Sequence, residues 1–518
     1  MSADRRRLDP VTLQVLIGAM HAACEEMGAV LIRSAHSANI KERQDCSTAL
    51  VDPAGELVMQ AEHIPVHLGS MPDAVGAVLG EDQRPGDLWI LNDPFRGGTH
   101  LPDITLISPI FTRGRAAGSG NTPELLGFAA SRAHHADVGG RTPAGMPARS
   151  TRLEEEGVVI PPTRVADGDL ERLAGRMRNP PQRLADLRAQ RAANLLGERR
   201  LLELAERDGL GLLRDGMAEI LDYAERRTRA GLSELPDGEY RAEDVLEDDA
   251  SRAETDVALR VTARISGDAL VLDFDGTDPQ VDGNLNCPMS VTRSASFFAV
   301  RVLIDPDAPP SAGAHRPVEV RAPEGCVLNA RPPAAVAAGN VETSSRVADL
   351  VISALGHATP APAQGQGTMN NVTLSGEEFT YYETLGGGQG ACPNGNGPSA
   401  EHVAMSNTLN TPIEALESEF PVRVRELAIR RESGGAGRHR GGDGMVREIE
   451  ALVPARFTLI TERRRHAPRG RDGGADGTPG QNLLNGEPLP SKAEGDLRPG
   501  DRLRIDTPGG GGYGEPKD

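Results

Sequence analysis

Apolar residues fall at helical spacing from Val11 through Leu13, Leu16, Ile17 and Met20, and Asp9-Pro10 just before them supplies a capping carboxylate and a proline at the first helical position. The spacing predicts a long first helix that ends near Ser37. Between residues 45 and 140 the period changes. Short apolar runs such as Thr48-Ala49-Leu50-Val51 and Leu88-Trp89-Ile90-Leu91 are punctuated by Gly and Pro, the pattern of strands joined by loops. Helical spacing returns from Leu170 to Leu232, broken at Pro180-Pro181 and Asp208-Gly209, which predicts two or three scaffold helices.

Pro236-Asp237-Gly238 marks a boundary, after which the runs Ala258 to Ile265 and Ala269 to Phe274 flank Ser266-Gly267-Asp268 as a hairpin. Val341 to Gly356 is again helical in period, with Asn340 as its cap. Gly386 to Gly390 forms a glycine-dense loop that either lies close over a ligand or simply turns. Beyond Glu419, short strand-like runs alternate with Gly434-Gly435 and Gly441-Gly442. These elements predict a mixed α/β (α+β), multidomain chain. It divides into a strand-rich N-terminal lobe (1–169), a helical segment (170–235), a central α/β domain (236–418) and a β-rich, Gly-rich C-terminal region (419–518).

Composition narrows the function. The 518 residues exceed one ordinary core. Aromatics make up 3% with a single tryptophan, Trp89, so base-stacking platforms are not expected. A formal charge of -19 repels phosphate backbones and anionic lipid, which leaves small molecules and proteins as partners rather than nucleic acid or a membrane. Lysine occurs only at Lys41, Lys492 and Lys517, none of them after a glycine, and this excludes a Walker-type phosphate loop. Gly509 to Gly514 matches GxGxxG in form, but no helix fits after it; a flexible or turn-rich end is expected there instead. Five cysteines without a CxxC pair and the absence of an apolar run long enough to span a bilayer point to the cytoplasm.

The chemistry sits in a repeated pattern. Gly97-Gly98-Thr99-His100-Leu101-Pro102-Asp103 and His134-His135-Ala136-Asp137-Val138-Gly139-Gly140 each set an imidazole three residues before a carboxylate, beside a Gly-Gly pair. Two imidazoles and a carboxylate leave open positions on a divalent ion, as a catalytic site requires. Neighbouring strand residues face opposite ways, so His134 is preferred to His135 as a ligand. Turn capping is the competing reading for each histidine. Asp45 offers a further carboxylate, with pairing to Arg43 or a turn cap as the alternative. His63 and His67 flank Pro65, which breaks the helix that a zincin-like pair needs. Glu154-Glu155-Glu156 holds a candidate general base or a solvated run, and the segments 340–344 and 402–408 gather polar groups suited to a pocket wall or to turns.

Taken with Ile64 to Met71, Glu155-Glu156-Gly157, Gly339 to Ser344, Gly367 to Asn371, Tyr381 to Thr384 and Asn410 to Glu414, the two histidine motifs resemble the hydantoinase B / 5-oxoprolinase family, which also includes an acetone carboxylase subunit. The resemblance runs through nearly the whole chain. It implies the hydrolytic B subunit of an ATP-dependent cyclic-amide hydrolase. A separate hydantoinase A-type ATPase subunit would phosphorylate the substrate carbonyl oxygen within a hetero-oligomer. It also implies one divalent ion, zinc or manganese, at Asp45, His100, Asp103 and His134, activating the water that opens the ring. Glu156, His67 and His135 are then the candidate catalytic groups, and Asn340, Glu342, Thr343 and His402 the candidate substrate contacts. The carboxylase branch tends to carry Trp where this chain has His135, so hydrolysis is preferred to ketone carboxylation; a non-catalytic scaffold for the ATPase is the other alternative. The loop Gly114 to Pro123 looks longer than usual for the family, which leaves the particular lactam or hydantoin open.

Overall fold

The computed structural model describes residues 8–113, 123–247, 255–377 and 379–516; the lengthened stretch 114–122 lies outside them. The first helix, α1 (Pro10–Ser34), starts as expected, with the Asp9 carboxylate accepting from the backbone of Val11 and Thr12. It stops short of Ser37 because the amides of His36 and Ser37 turn away to Asp186 Oδ1, at 2.8 and 3.1 Å. Contrary to the sequence reading, α1 is long and apolar enough to cross a membrane by length and composition. Here its face of Leu13, Leu16, Met20, Cys24, Met27 and Leu31 is buried against the helix Pro180–Asp208 and the first sheet.

That sheet has six antiparallel strands: β1 (Cys46–Val51), β2 (Leu57–Glu62), β3 (Trp89–Leu91), β4 (Asp103–Phe111), β5 (Leu125–His134) and β6 (Thr163–Arg164), in the order β2-β1-β5-β4-β3-β6. Both of its faces are covered, so β4 and β5 are buried along almost their whole length. Ala129 and Ala133 pack toward α1, while Phe128 and Ala130 pack with Trp89, Val75 and Val78 on the other side. Two-sided burial explains why these strands read as apolar runs instead of a clean alternation.

The helical segment resolves into Asp169–Ala174, Pro180–Asp208 and Leu210–Ser233. Gly209, at φ +88°, divides the last two. In the central region, β7 (Gly238–Leu246), β8 (Val257–Ser266), β9 (Ala269–Asp273) and β10 (Val318–Arg321) form a sheet in the order β10-β9-β8-β7, with the expected β8–β9 hairpin. Helices Met289–Ile304 and Ser344–Leu355 contribute to its core. The second begins as a π turn over Gly339–Thr343, so Asn340 sits inside the helical run and does not cap it.

Beyond it, β11 (Asn371–Ser375) and β12 (Thr380–Glu383) join Ala455–Ile460 and Lys492–Leu497 in a third sheet, and five further strands form the fourth. The Gly509–Gly512 run is no loose end. Its residues are buried, and backbone bonds tie Gly510 to Gly442, Gly511 to Gln364 and Gly512 to Ala475. A side chain at Gly510 would collide with the carbonyl of Gln389; the missing Cβ atoms let several strands approach backbone to backbone. The Gly386–Gly390 loop belongs to the same stack, with Gly388 bonded to Pro508.

Candidate metal centre

The register of the first sheet builds the site. Asp103, the first residue of β4, is the direct partner of His134, the last residue of β5. On the other side of β5, the amide of His134 donates to the carbonyl of Asp45, one residue before β1. Residues opposite one another in a sheet share a face, so Asp45, His134 and Asp103 stand in one row at the sheet's end. His100 joins them through a tight turn in which the Asp103 amide donates to the His100 carbonyl. Gly97, at φ +98°, three residues before that turn, ends a short helix in a conformation that favours glycine.

One ligand atom each from His100, Asp103 and His134 lies within 4.8 Å of the others, and all three residues are buried. Asp103 Oδ1 is 3.2 Å from His100 Nε2 and 3.4 Å from His134 Nδ1. Asp45 stands at the margin, 4.0 Å from His134 Nδ1. Burial works to raise the Asp103 carboxyl, but His100, His134 and His67 outweigh it and hold the group well below the ordinary carboxylate range. Thr99 donates its hydroxyl to Asp103 Oδ2 at 2.7 Å.

This arrangement fits a divalent ion. Nε2 of His100, the nitrogen that faces Asp103, is buried without a hydrogen-bond partner among the described residues, and two imidazoles with a carboxylate are a donor set suited to zinc or manganese. The row opens onto a pocket of about 20 Å³ lined by His67, Asn340 and Tyr382 and by the apolar Ile64, Val66, Val341, Met369 and Met405. A wider cleft of about 680 Å³, lined by Arg178, Phe379 and Phe420 among others, shares Tyr382 with it. We place the chemistry in the smaller pocket, because the ligands converge there.

The other candidate residues are distributed unevenly. His67 faces Asp103, with Nε2 3.4 Å from Oδ2, and its Nδ1 is held by Ser47 Oγ at 2.9 Å. Asn340 reaches Asp103 Oδ2 from 3.5 Å, and its Oδ1 has no partner. Glu156 does not line this pocket: it accepts from Ser150 and from the amides of Val336 and Ala337, and burial raises its carboxyl to about 7. His135 points away to Gln190 Oε1 at 2.9 Å, as expected for a strand neighbour of His134. Thr343 donates to the Leu285 carbonyl, and Glu342 bonds Asn371 and the Met369 amide. His402 bonds Ser406 beside a different cavity and is pushed down to about 4 by burial. These five serve the packing around the site instead of touching its ligands.

Two side chains at the site were not foreseen. Tyr382 stacks on His134 with ring centroids 4.9 Å apart and planes at 8°. Arg43, fully buried, stands 5.1 Å from the Tyr382 ring centroid and donates to the Tyr382 carbonyl and to Thr384. Tyr382 lies far away in sequence on β12; its segment, Tyr381 to Thr384, carries part of the family resemblance, but nothing local in it points to a place beside His134.

Comparison with known proteins agrees with the site. Residues 9–516 match the hydantoinase B/oxoprolinase family. The chain is 39% identical to 5-oxoprolinase 1 of Arabidopsis thaliana over 98% of its own length, but it spans only 42% of that relative. An ATP-dependent caprolactamase from Pseudomonas jessenii superposes with a TM-score of 0.90 at 29% identity, covering 98% of this chain and 92% of that one. The nucleotide-free acetone carboxylase structure gives 0.86 at 17% identity, covering 99% and 76%, a likeness of fold alone. With the match running through every lobe described above, this chain belongs to the hydantoinase B/oxoprolinase family.

Proposed function

We propose that this chain is the ring-opening component of an ATP-dependent cyclic-amide hydrolase, acting on a lactam or hydantoin whose carbonyl oxygen a separate ATPase subunit has phosphorylated. The observation that carries the reading is the buried His100–Asp103–His134 convergence at the end of one sheet. Identity supports hydrolysis over carboxylation: the lactam-directed relatives share 39% and 29% with this chain, the carboxylase 17%. The sequence carries no Gly-Lys phosphate loop and matches 42% of the length of the plant 5-oxoprolinase, which supports an ATP-using component outside the matched region.

An amide carbon is a poor electrophile because nitrogen donates into the carbonyl; phosphorylating the oxygen removes that protection. His100, Asp103 and His134 would hold the ion, with Asp45 at its margin. A divalent ion supplies Lewis acidity that brings the pKa of water from about 15.7 to about 7. Around it, this chain's residues divide the remaining work. Thr99 fixes the Asp103 carboxylate. His67, oriented by Ser47, would take a proton from the attacking water and deliver it to the departing ring nitrogen. Asn340 Oδ1, free of partners, is placed to accept from the ring N–H. The apolar wall of Ile64, Val66, Val341, Met369 and Met405 faces the carbon side of the ring and excludes bulk water.

The test is metal analysis of the purified protein and of a His100→Ala/His134→Ala variant, followed by a lactam screen with the ATPase partner. Wild type should carry zinc or manganese and open a ring in an ATP-dependent manner, and the variant should do neither. Equal metal in both proteins refutes the ligand assignment. Unchanged coupled turnover in the variant makes the chain a scaffold, and incorporation of labelled bicarbonate makes it a carboxylase.

A further inference from the structure

A histidine bound to a metal through one ring nitrogen ordinarily donates its other N–H to a carboxylate or carbonyl, which fixes the plane of the ring and its tautomer. His134 lacks this device. Its Nδ1 faces Asp103 and Asp45, at 3.4 and 4.0 Å, and its Nε2 is buried without a hydrogen-bond partner. What holds the imidazole instead is a ring: Tyr382 lies parallel to it, 4.9 Å between centroids and 8° between planes.

Tyr382 is itself fastened at both ends. Its hydroxyl donates to Asn371 Oδ1 at 2.7 Å. The Asn371 amide nitrogen donates in turn to Glu342 Oε1 at 2.7 Å and to the Ile460 carbonyl at 2.8 Å, so the amide cannot flip without losing both bonds. At the other end, Arg43 donates to the Tyr382 carbonyl at 2.8 Å while its guanidinium stands over the ring. Arg43 has no carboxylate partner among the ion pairs of the described residues. Its buried charge is spent on this ring, on Thr384 and on Thr408.

We propose that Tyr382 is the positioning residue for His134: its clamped ring sets the imidazole plane that a conventional hydrogen bond would otherwise set. The inference rests on the metal-site reading above and adds a residue from another lobe to it. It also gives Glu342 a place, at the far end of the Tyr382–Asn371 chain and outside the pocket.

The neighbouring tyrosine supplies the control. Tyr381 is as deeply buried, but it faces the opposite side of β12, where its hydroxyl bonds Glu383 and its ring packs on Phe420 at 5.2 Å. Zinc affinity would be measured by chelator competition on full-length Tyr382→Leu, Tyr382→Phe and Tyr381→Leu, with the visible spectrum of the cobalt-loaded proteins as a geometric readout. Tyr382→Leu should bind zinc about 10- to 100-fold more weakly and change the cobalt spectrum, the size typical of losing a residue that orients a ligand. Tyr382→Phe, which keeps the ring and frees its edge, should fall in between. Tyr381→Leu should bind like wild type even where it melts earlier. Wild-type affinity in Tyr382→Leu, or an equal loss in Tyr381→Leu, overturns the proposal. Should Tyr382→Leu not fold, Tyr382→Phe decides, unchanged affinity and spectrum overturning it. A wild-type protein that binds neither metal sinks the site reading itself, an outcome distinct from both.

Discussion

His135 offers a sharp test of the division between site and scaffold, because it stands next to a proposed ligand and yet faces away. Gln190 Nε2 donates to the carbonyls of Ile104 and Ser131, so Gln190 Oε1 is an acceptor and His135 must donate to it through Nε2. That fixes a neutral tautomer. Burial, which Asp186 only partly offsets, presses the imidazole from 6.5 down to about 4. The sign follows from proton counting: between about pH 6.5 and 4 the unfolded chain binds a proton here that the folded chain does not, so stability is intact above this window and is lost as pH falls through it. At about pH 5 the unfolded imidazole is nearly fully charged and the folded one roughly a tenth charged, a loss of about 2 kcal/mol. His135→Gln keeps a donor for Gln190 and removes the titration. It should cost about 1 kcal/mol near pH 7.5, and its disadvantage should vanish or reverse by about pH 5. Trp89, the single tryptophan, is 5% exposed in β3 of the same sheet, so its fluorescence during urea unfolding reports this lobe. Parallel stability curves from about pH 7.5 to 5 would refute the tautomer and burial reasoning. Loss of zinc binding in the variant would refute the scaffold role.

Four further outcomes are expected. Gly339→Ala drives a methyl into the backbone carbonyl of Asn286 at the start of the π turn that carries Asn340; a loss of up to about 3 kcal/mol should appear in thermal melts, and an unchanged melting temperature counts against the packing described. Lys492→Met leaves the buried Glu462 carboxylate with Arg346 and the Glu247 amide and should cost about 3 kcal/mol or more, most of it recovered in the Lys492→Met/Glu462→Gln double variant; additive losses would show the pair to be uncoupled. Zinc at about 100 times its dissociation constant should stabilise the wild type by about 3 kcal/mol and leave His100→Ala/His134→Ala unmoved, a comparison read by calorimetry. Asn407→Ala removes the bond to the His63 carbonyl at 2.9 Å that clasps one wall of the small pocket, so amides of residues 405–408 should exchange faster while those of β5 do not change.

Much of this architecture is legible in local sequence, and the exceptions have physical causes. The first helix, the β8–β9 hairpin and the helices after Leu170 follow from period, caps and turn residues acting within a few positions. His100 and His134 look alike in sequence, each three residues before an aspartate, but that Asp103 faces His134 is a matter of register between β4 and β5, which only tertiary packing decides. The glycine-rich tail misleads for the opposite reason. A run of glycines is conformationally free in isolation, and here that freedom lets backbones from the Gly386, Gly434 and Gly441 segments pack against it until it is rigid. Glu156 misleads because a run of three acids normally faces water; its last member instead turns inward to bind two backbone amides near the start of the π turn.

The site is assembled across lobes, and this bears on how it works. Of the proposed ligands, Asp103 and His134 lie in the first sheet, whose register sets them side by side, and His100 lies in the turn just before β4. Asn340 and Val341 come from the π turn, Tyr382 from β12, and Met369 and Met405 from connecting segments. The pocket between them, at about 20 Å³, has room for one or two water molecules and none for a five-membered ring. For the proposed lactam to enter, these walls would have to separate, while the backbone pairing that joins Asp45, His134 and Asp103 could stay in place. Closure would bring Asn340 and the apolar wall onto the ring at the same time as it expels bulk water, so only a substrate seated against the whole wall meets a complete site.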